Sequence, residues 1–177
     1  MAPPTNRSTD LFENFQASAF RLETLQTYTI PSEQPGLQAF LGGKVPPEYD
    51  EVAEWIGMVR GKVNSGKTMR RARVVRRPLT DYTRYSLSWG IPRNTEAGED
   101  YHIIDLTDRE IGLPEQDFWM FDDETVLLQY YNPDGSFRSR ELADPADIDR
   151  YRKWRDLALS EAIPWSEYRL QRPPDGW

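Results

Sequence analysis

The chain has 177 residues, is 38% hydrophobic, and sets 22 Lys and Arg against 29 Asp and Glu for a formal net charge of −7. That length suits one domain with a core of its own, and six tryptophans exclude a disordered chain. The lack of cysteine excludes a disulfide scaffold, a thiolate nucleophile and Cys-ligated metal centres, while no apolar run approaches the roughly 18 residues of a membrane span, so a cytoplasmic protein without membrane contact is expected.

Residues 1–8 read as a disordered leader and 169–177 as a flexible tail, with one domain at 9–168 between them. Asp10 with Glu13 predicts the cap of a short helix that gathers Leu11, Phe12 and Phe15 on one face. Residues 19–30 alternate, with Phe20, Leu22, Tyr28 and Ile30 against Arg21, Glu23 and Thr27, which predicts a half-buried strand. The spacing of Tyr49, Val52, Ile56, Val59 and Val63 predicts a helix over 47–63, acidic in its first turn and basic in its last as the helix dipole favours. Gly66 supplies a left-handed stop, and residues 68–75 follow as a strand.

Thr80 or Asp81 opens a second helix bearing Tyr82, Tyr85 and Trp89, which Gly90 and Pro92 close. Strands are expected at 101–106, 117–121, 125–131 and 137–143. The last two form a hairpin through Asn132-Pro133-Asp134-Gly135, where proline presets one backbone angle and glycine supplies a positive one. Asp144-Pro145 starts a final helix carrying Ile148, Tyr151, Trp154, Ala158 and Ala162. This order predicts an α/β fold, a single domain with a mixed sheet flanked by helices.

Residues 61–68, Gly-Lys-Val-Asn-Ser-Gly-Lys-Thr, match the phosphate-loop pattern G-x-x-x-x-G-K-[ST] letter for letter. A working loop follows a strand and opens a helix, because phosphate sits on the amides of the first helical turn. Here the predicted order is reversed, so the carbonyl end of a helix meets the motif and repels phosphate. A helix-to-strand connector is the reading that fits.

The motif lies in a basic island of Arg60, Lys62, Lys67, Arg70, Arg71, Arg73, Arg76 and Arg77, with no acid among them. Such an island is either a solvated, ion-paired surface or a local anion site, since arginine forks suit phosphate and carboxylate oxygens. The acidic balance of the whole chain disfavours direct nucleic-acid binding. His102, the only histidine, reads as structural or as a lone general base. Asp122-Asp123-Glu124 reads as a tight turn between two buried strands or as a cation site. Asn94, Glu96, Glu99 and Asp100 line either a cleft or a plain loop around Gly98.

Four blocks carry a resemblance: Arg71-Ala72-Arg73-Val74-Val75; Pro78-Leu79-Thr80-Asp81-Tyr82-Thr83-Arg84-Tyr85; Asn94 with Glu96-Ala97-Gly98-Glu99-Asp100; and Leu113-Pro114 with 117–123. In these the chain resembles a family of actinobacterial proteins built on a domain of unknown function, commonly encoded near helix-turn-helix regulators. In element order that family is similar to the phospholipase-D-like domain of some transcription regulators, which implies half of such a fold. Catalysis there needs a His-x-Lys pair, whereas this chain has His102-Ile103-Ile104, and Asp117-Phe118-Trp119 at the aligned position. The resemblance therefore implies a degenerate, non-catalytic relative.

The expected function is that of a non-catalytic regulatory or binding protein recognising a partner protein or a small anionic ligand, with a helix-turn-helix regulator as the implied partner. A homodimer is compatible with this reading, and neither a cofactor nor a metal is expected. The site is expected at Arg71, Arg73, Asp81, Tyr82, Arg84, Glu96, Asp100, Trp119 and Asp122, because α/β clefts collect ligands at strand ends. Arg73 and Arg84 would hold the anion, Tyr82 and Trp119 would form an apolar wall, and the carboxylates would orient donors. The alternative is an enzyme on a small substrate, with His102, Glu96, Asp100 or Asp122 as general base.

Overall fold

The computed structural model describes residues 7–46 and 53–172. The chain begins α1 (Arg7–Asn14), β1 (Ser18–Glu23), α2 (Gln34–Leu41), α3 (Ala53–Asn64), β2 (Thr68–Val75), α4 (Asp81–Tyr85) and α5 (Ile91–Glu96). It continues β3 (Asp100–Asp105), β4 (Asp117–Phe121), β5 (Thr125–Tyr131), β6 (Phe137–Leu142), α6 (Ile148–Glu161), β7 (Ile163–Pro164) and α7 (Trp165–Gln171). The strands form one mixed sheet in the order β6-β5-β4-β1-β2-β3-β7. β1, β2 and β3 run parallel through helical crossovers, and the remaining pairings are antiparallel. The molecule is thus a single α/β domain with helices on both faces of its sheet.

Alternation along the central strands divides the core in two. Phe20, Leu22, Ala72, Val74, Phe118 and Met120 face α6, where Tyr151 and Ala158 complete the packing. On the other face Ala19, Met69, Trp119 and Phe121 pack with Phe15 and with Val59 of α3. Val75, Tyr101 and Ile103 pack on that face with Leu87, Ile91, Trp165 and Tyr168. Along β2 this second face reads Met69, Arg71, Arg73, Val75, so a charged band lies between two apolar clusters.

Chain direction at Gly66 is as the sequence predicts. α3 arrives, Gly66 adopts φ +85° and β2 departs. The N–H of Gly66 bonds the Val63 carbonyl at 2.9 Å and that of Lys67 the Lys62 carbonyl at 3.1 Å, which closes a helix C-terminus. The Lys67 ammonium is spent on the Phe15 carbonyl. A cradle of free amides does not form there, and the phosphate-loop match is a connector. The residues expected to start this helix, including Tyr49 and Val52, lie outside the described residues.

Several expectations need correction. Asp10 lies within α1 instead of capping it. The strand expected at 19–30 stops at Glu23, because the Asp117 carboxylate takes the Thr24 N–H and hydroxyl, both at 2.8 Å, and turns the chain. Its charged face is not solvated either, since Arg21 and Glu23 are 7% and 6% exposed. The helix opened by the Thr80 side chain does not close at Gly90 and Pro92 but continues through a wide π turn at Ser86–Gly90 into α5. Pro92 falls where the π turn passes into α5, at an interruption of the regular hydrogen-bond ladder. α2, β7 and α7 were not anticipated, and helix reaches Arg7 at one end and Gln171 at the other, inside the segments expected as leader and tail.

Candidate functional site

One row of side chains crosses four strands in register: Trp119 of β4 opposite Arg21 of β1, Arg21 opposite Arg71 of β2, and Arg71 opposite Tyr101 of β3. The parallel core forces this row to be buried, because helices cover both faces of β1 and β2. Arginines in that position must meet carboxylates.

Glu23 is the hub. Its Oε1 accepts from Arg71 Nη1 at 2.7 Å and lies 3.7 Å from Arg21 Nε, while Oε2 accepts from Arg73 Nη1 at 3.0 Å and from the Tyr101 hydroxyl at 2.9 Å. Arg71 Nε also donates to Glu99 at 2.8 Å. Arg21 Nη2 donates to Asp117 at 3.0 Å and to the Tyr131 hydroxyl at 2.8 Å, and the Tyr28 hydroxyl donates to Asp117 at 2.6 Å. Three arginines thus face three carboxylates.

The environment splits the two glutamates in opposite directions. Burial pushes the Glu23 carboxyl up, but Arg71, Arg21 and Arg73 outweigh it and hold Glu23 well below the usual range. Burial also pushes Glu99 up, and Arg71, its nearest cation, opposes this only in part. Among the described residues the second oxygen of Glu99 is buried without a hydrogen bond.

Above the row lies a cavity of about 600 Å³. Arg21, Arg71 and Trp119 line it from the sheet, Phe12 and Trp55 from α1 and α3, and Tyr85 and Trp89 from the helical segment after β2. The rings pack edge to face: Phe12 to Trp119 at 4.9 Å, Trp55 to Trp119 at 5.8 Å, and Tyr85 to Trp89 at 5.9 Å between centroids. Trp55 is oriented by donating Nε1 to Asn94 at 2.8 Å, and Asn94 is tied to the Gly90 carbonyl at 2.9 Å. Glu13, Glu33, Glu54, Arg93 and Arg140 complete the charged part of the lining.

Of the residues expected to bind ligand, Arg71 and Trp119 line this cavity together. Arg73 and Tyr82 stand close by, the guanidinium 5.5 Å from the ring, with the Tyr82 hydroxyl donating to Glu33 at 2.6 Å. The others are elsewhere. Asp81 and Arg84 pair with each other at 3.1 Å at the exposed start of α4, and Glu96 is exposed at the end of α5. Asp100 binds Arg70 at 2.5 Å and His102 at 2.9 Å. Asp122 accepts the backbone N–H groups of Gln16, Ala17 and Ser18 at 2.7–3.0 Å, which hold its carboxyl below the usual range although burial opposes them.

The four candidate general bases therefore occupy other places than the cleft. Sequence reasoning assigned no site role to Arg21, Glu23 and Asp117, and left Glu99 between a cleft and a plain loop. The signal was present: a central strand in a helix-covered parallel sheet has no solvent face, so Arg21 and Glu23 had to be paired inside. Among the described residues no helix is long and apolar enough to cross a membrane.

A family model described as a domain of unknown function, DUF6879, matches residues 6–170, and the chain belongs to that family. No curated protein matches the sequence.

Proposed function

We propose that this member of the DUF6879 family is a non-catalytic binding protein that takes a small anionic ligand in the cleft over Arg21 and Arg71. One observation carries the reading: two buried guanidinium groups, in register on adjacent strands, line a cavity of about 600 Å³ with unused donors. Among the described residues Arg21 Nη1 and Arg71 Nη2 make no hydrogen bond, the bonds of these side chains falling on Arg21 Nη2 and on Arg71 Nε and Nη1. A guanidinium held rigid by carboxylates behind it is a preorganised oxyanion donor. The volume falls in the usual range for small-molecule sites.

His102 gives the enzyme alternative little support, since its Nε2 is engaged by Asp100 and its Nδ1 is buried with no hydrogen-bond partner among the described residues. A sensing role alongside a helix-turn-helix regulator is what the resemblance implies, and coelution of the two proteins tests it separately.

The binding reading is tested by titrating small anions against intrinsic fluorescence, because Trp55, Trp89 and Trp119 all line the cleft. A saturable response is expected in the native protein. It should vanish in Met58→Trp, which fills the cavity from α3 and leaves the ion cluster intact. An unchanged affinity in that variant, with native circular dichroism, would place the ligand elsewhere and defeat the proposal.

A further inference from the structure

We infer that the cleft takes a flat, ring-bearing monoanion, an aromatic carboxylate, and discriminates against polyphosphates. This rests on the binding reading above and specifies its ligand.

The first argument is charge. Arg21, Arg71 and Arg73 are already matched by Glu23, Asp117 and Glu99, all within hydrogen-bond distance. In the rest of the lining, Arg93 and Arg140 are outnumbered by Glu13, Glu33 and Glu54. A triphosphate needs a surplus of several positive charges, and the cleft has none to give. Burial raises the Glu99 carboxyl and its second oxygen has no hydrogen bond among the described residues, so Glu99 is the carboxylate that offsets the arginines least.

The second argument is the donor set. Arg21 and Arg71 stand side by side and flank the same ring, 5.5 and 5.4 Å from the Trp119 centroid, each with a terminal nitrogen, Nη1 and Nη2 respectively, outside any hydrogen bond among the described residues. Two donors from neighbouring guanidinium groups suit the two oxygens of a carboxylate. An anion bound there sits beside an indole, with its non-ionic end directed among rings.

The third argument is the wall. Phe12, Trp55 and Trp119 form one aromatic group and Tyr85 and Trp89 another, and the cavity is lined by both. Ile30, Ile56 and Met58 fill the intervening lining. Aromatic pairs gain about 0.5–1.5 kcal/mol beyond the area they bury, so a planar ring is favoured over a saturated one of similar size.

The test is a titration at constant ionic strength with four probes: indole-3-carboxylate, cyclohexanecarboxylate, pyrophosphate and ATP. Tryptophan fluorescence and calorimetry are read together, because indole probes absorb. The expected result is saturable binding of indole-3-carboxylate at least about tenfold tighter than cyclohexanecarboxylate, with no saturable binding of pyrophosphate or ATP. Trp55→Leu, on a partly exposed helix position, should remove most of that preference while circular dichroism stays native. Tighter binding of either phosphate, or equal binding of the two carboxylates, overturns the inference and leaves the anion-binding reading standing. Silence from all four probes overturns both.

Discussion

Arg21 and Arg71 lie directly opposite each other on adjacent parallel strands, and a single oxygen of Glu23 lies between their guanidinium groups, 3.7 Å from one and 2.7 Å from the other. Two like charges so placed would drive the strands apart without that anion. The same carboxylate holds Arg73, so one residue of β1 sets the charge balance for the middle of the sheet.

Replacing Glu23 with glutamine should therefore be far more costly than a surface ion-pair loss. It leaves three buried arginines sharing only Glu99 and Asp117, and removing one partner of a buried pair costs about 3–5 kcal/mol. Thermal unfolding followed by circular dichroism should fall by roughly 10 °C or more. Adding Arg73→Met to Glu23→Gln should recover part of the loss, because the unpaired charge goes with it. A single variant that melts with the native protein would show that the cluster does not hold the sheet.

The opposite shifts of Glu23 and Glu99 predict a stability profile limited on both sides. Glu23 titrates below its unfolded value of about 4.3, so its contribution is present above that pH and is lost as pH falls through the folded value. Glu99 titrates above its unfolded value, so its contribution is complete at acid pH and is lost as pH rises through the folded value. Burial raises Glu33 likewise, against the hydrogen bond from Tyr82. Melting temperatures from about pH 3 to about pH 9 should show an acid limb and a decline that begins above the usual carboxylate range, and the double change Glu33→Gln, Glu99→Gln should flatten only the decline. Persistence of the decline in that variant would assign it to other groups.

Regular elements were legible wherever one periodicity ran undisturbed. β2, β4 and β5 have the expected bounds, and Gly66 stops its helix as expected, because alternation and a left-handed glycine are local signals. The site was half legible. Arg71 and Trp119 stood out as arginine and tryptophan near strand ends, but Arg21 and Glu23 read as the wet face of a strand. Their burial is a tertiary fact, created only when α3 and the helices after β2 close over β1. Asp117 was hidden for the same reason, since its partners Tyr28 and Arg21 lie 89 and 96 residues away.

Asp122 should prove to be a structural anchor. Its carboxylate collects three backbone N–H groups just before and at the start of β1, from a turn in which Asp122 and Asp123 have φ of 52° and 60°. Asp122→Ala should cost about 1–3 kcal/mol in urea unfolding, with Asp122→Asn intermediate because asparagine keeps one acceptor and tolerates that backbone. Hydrogen exchange should accelerate at Gln16, Ala17 and Ser18 before it does so in β2. Uniform acceleration across the sheet would count against a local role.

Gly66 and Gly135 share almost the same backbone angle, φ +85° and +81°, yet should respond differently to alanine. A Cβ on Gly66 meets nothing within 4 Å, so Gly66→Ala carries only the left-handed backbone penalty of about 1 kcal/mol. A Cβ on Gly135 would lie 2.6 Å from the Thr27 carbonyl oxygen and 3.2 Å from the Thr29 nitrogen, both backbone atoms of the loop that follows β1. That loop is pinned to the hairpin by the Thr29 N–H bond to the Gly135 carbonyl at 2.9 Å, and it carries Tyr28 to Asp117. Relief of the clash must displace Tyr28, so Gly135→Ala should cost at least about 2 kcal/mol more than Gly66→Ala in urea denaturation. Anion affinity should weaken with it, because the Asp117 carboxylate that Tyr28 orients is the one that fixes Arg21. Equal costs for the two glycines would mean that the loop yields freely and that Tyr28 does not position the floor of the cleft.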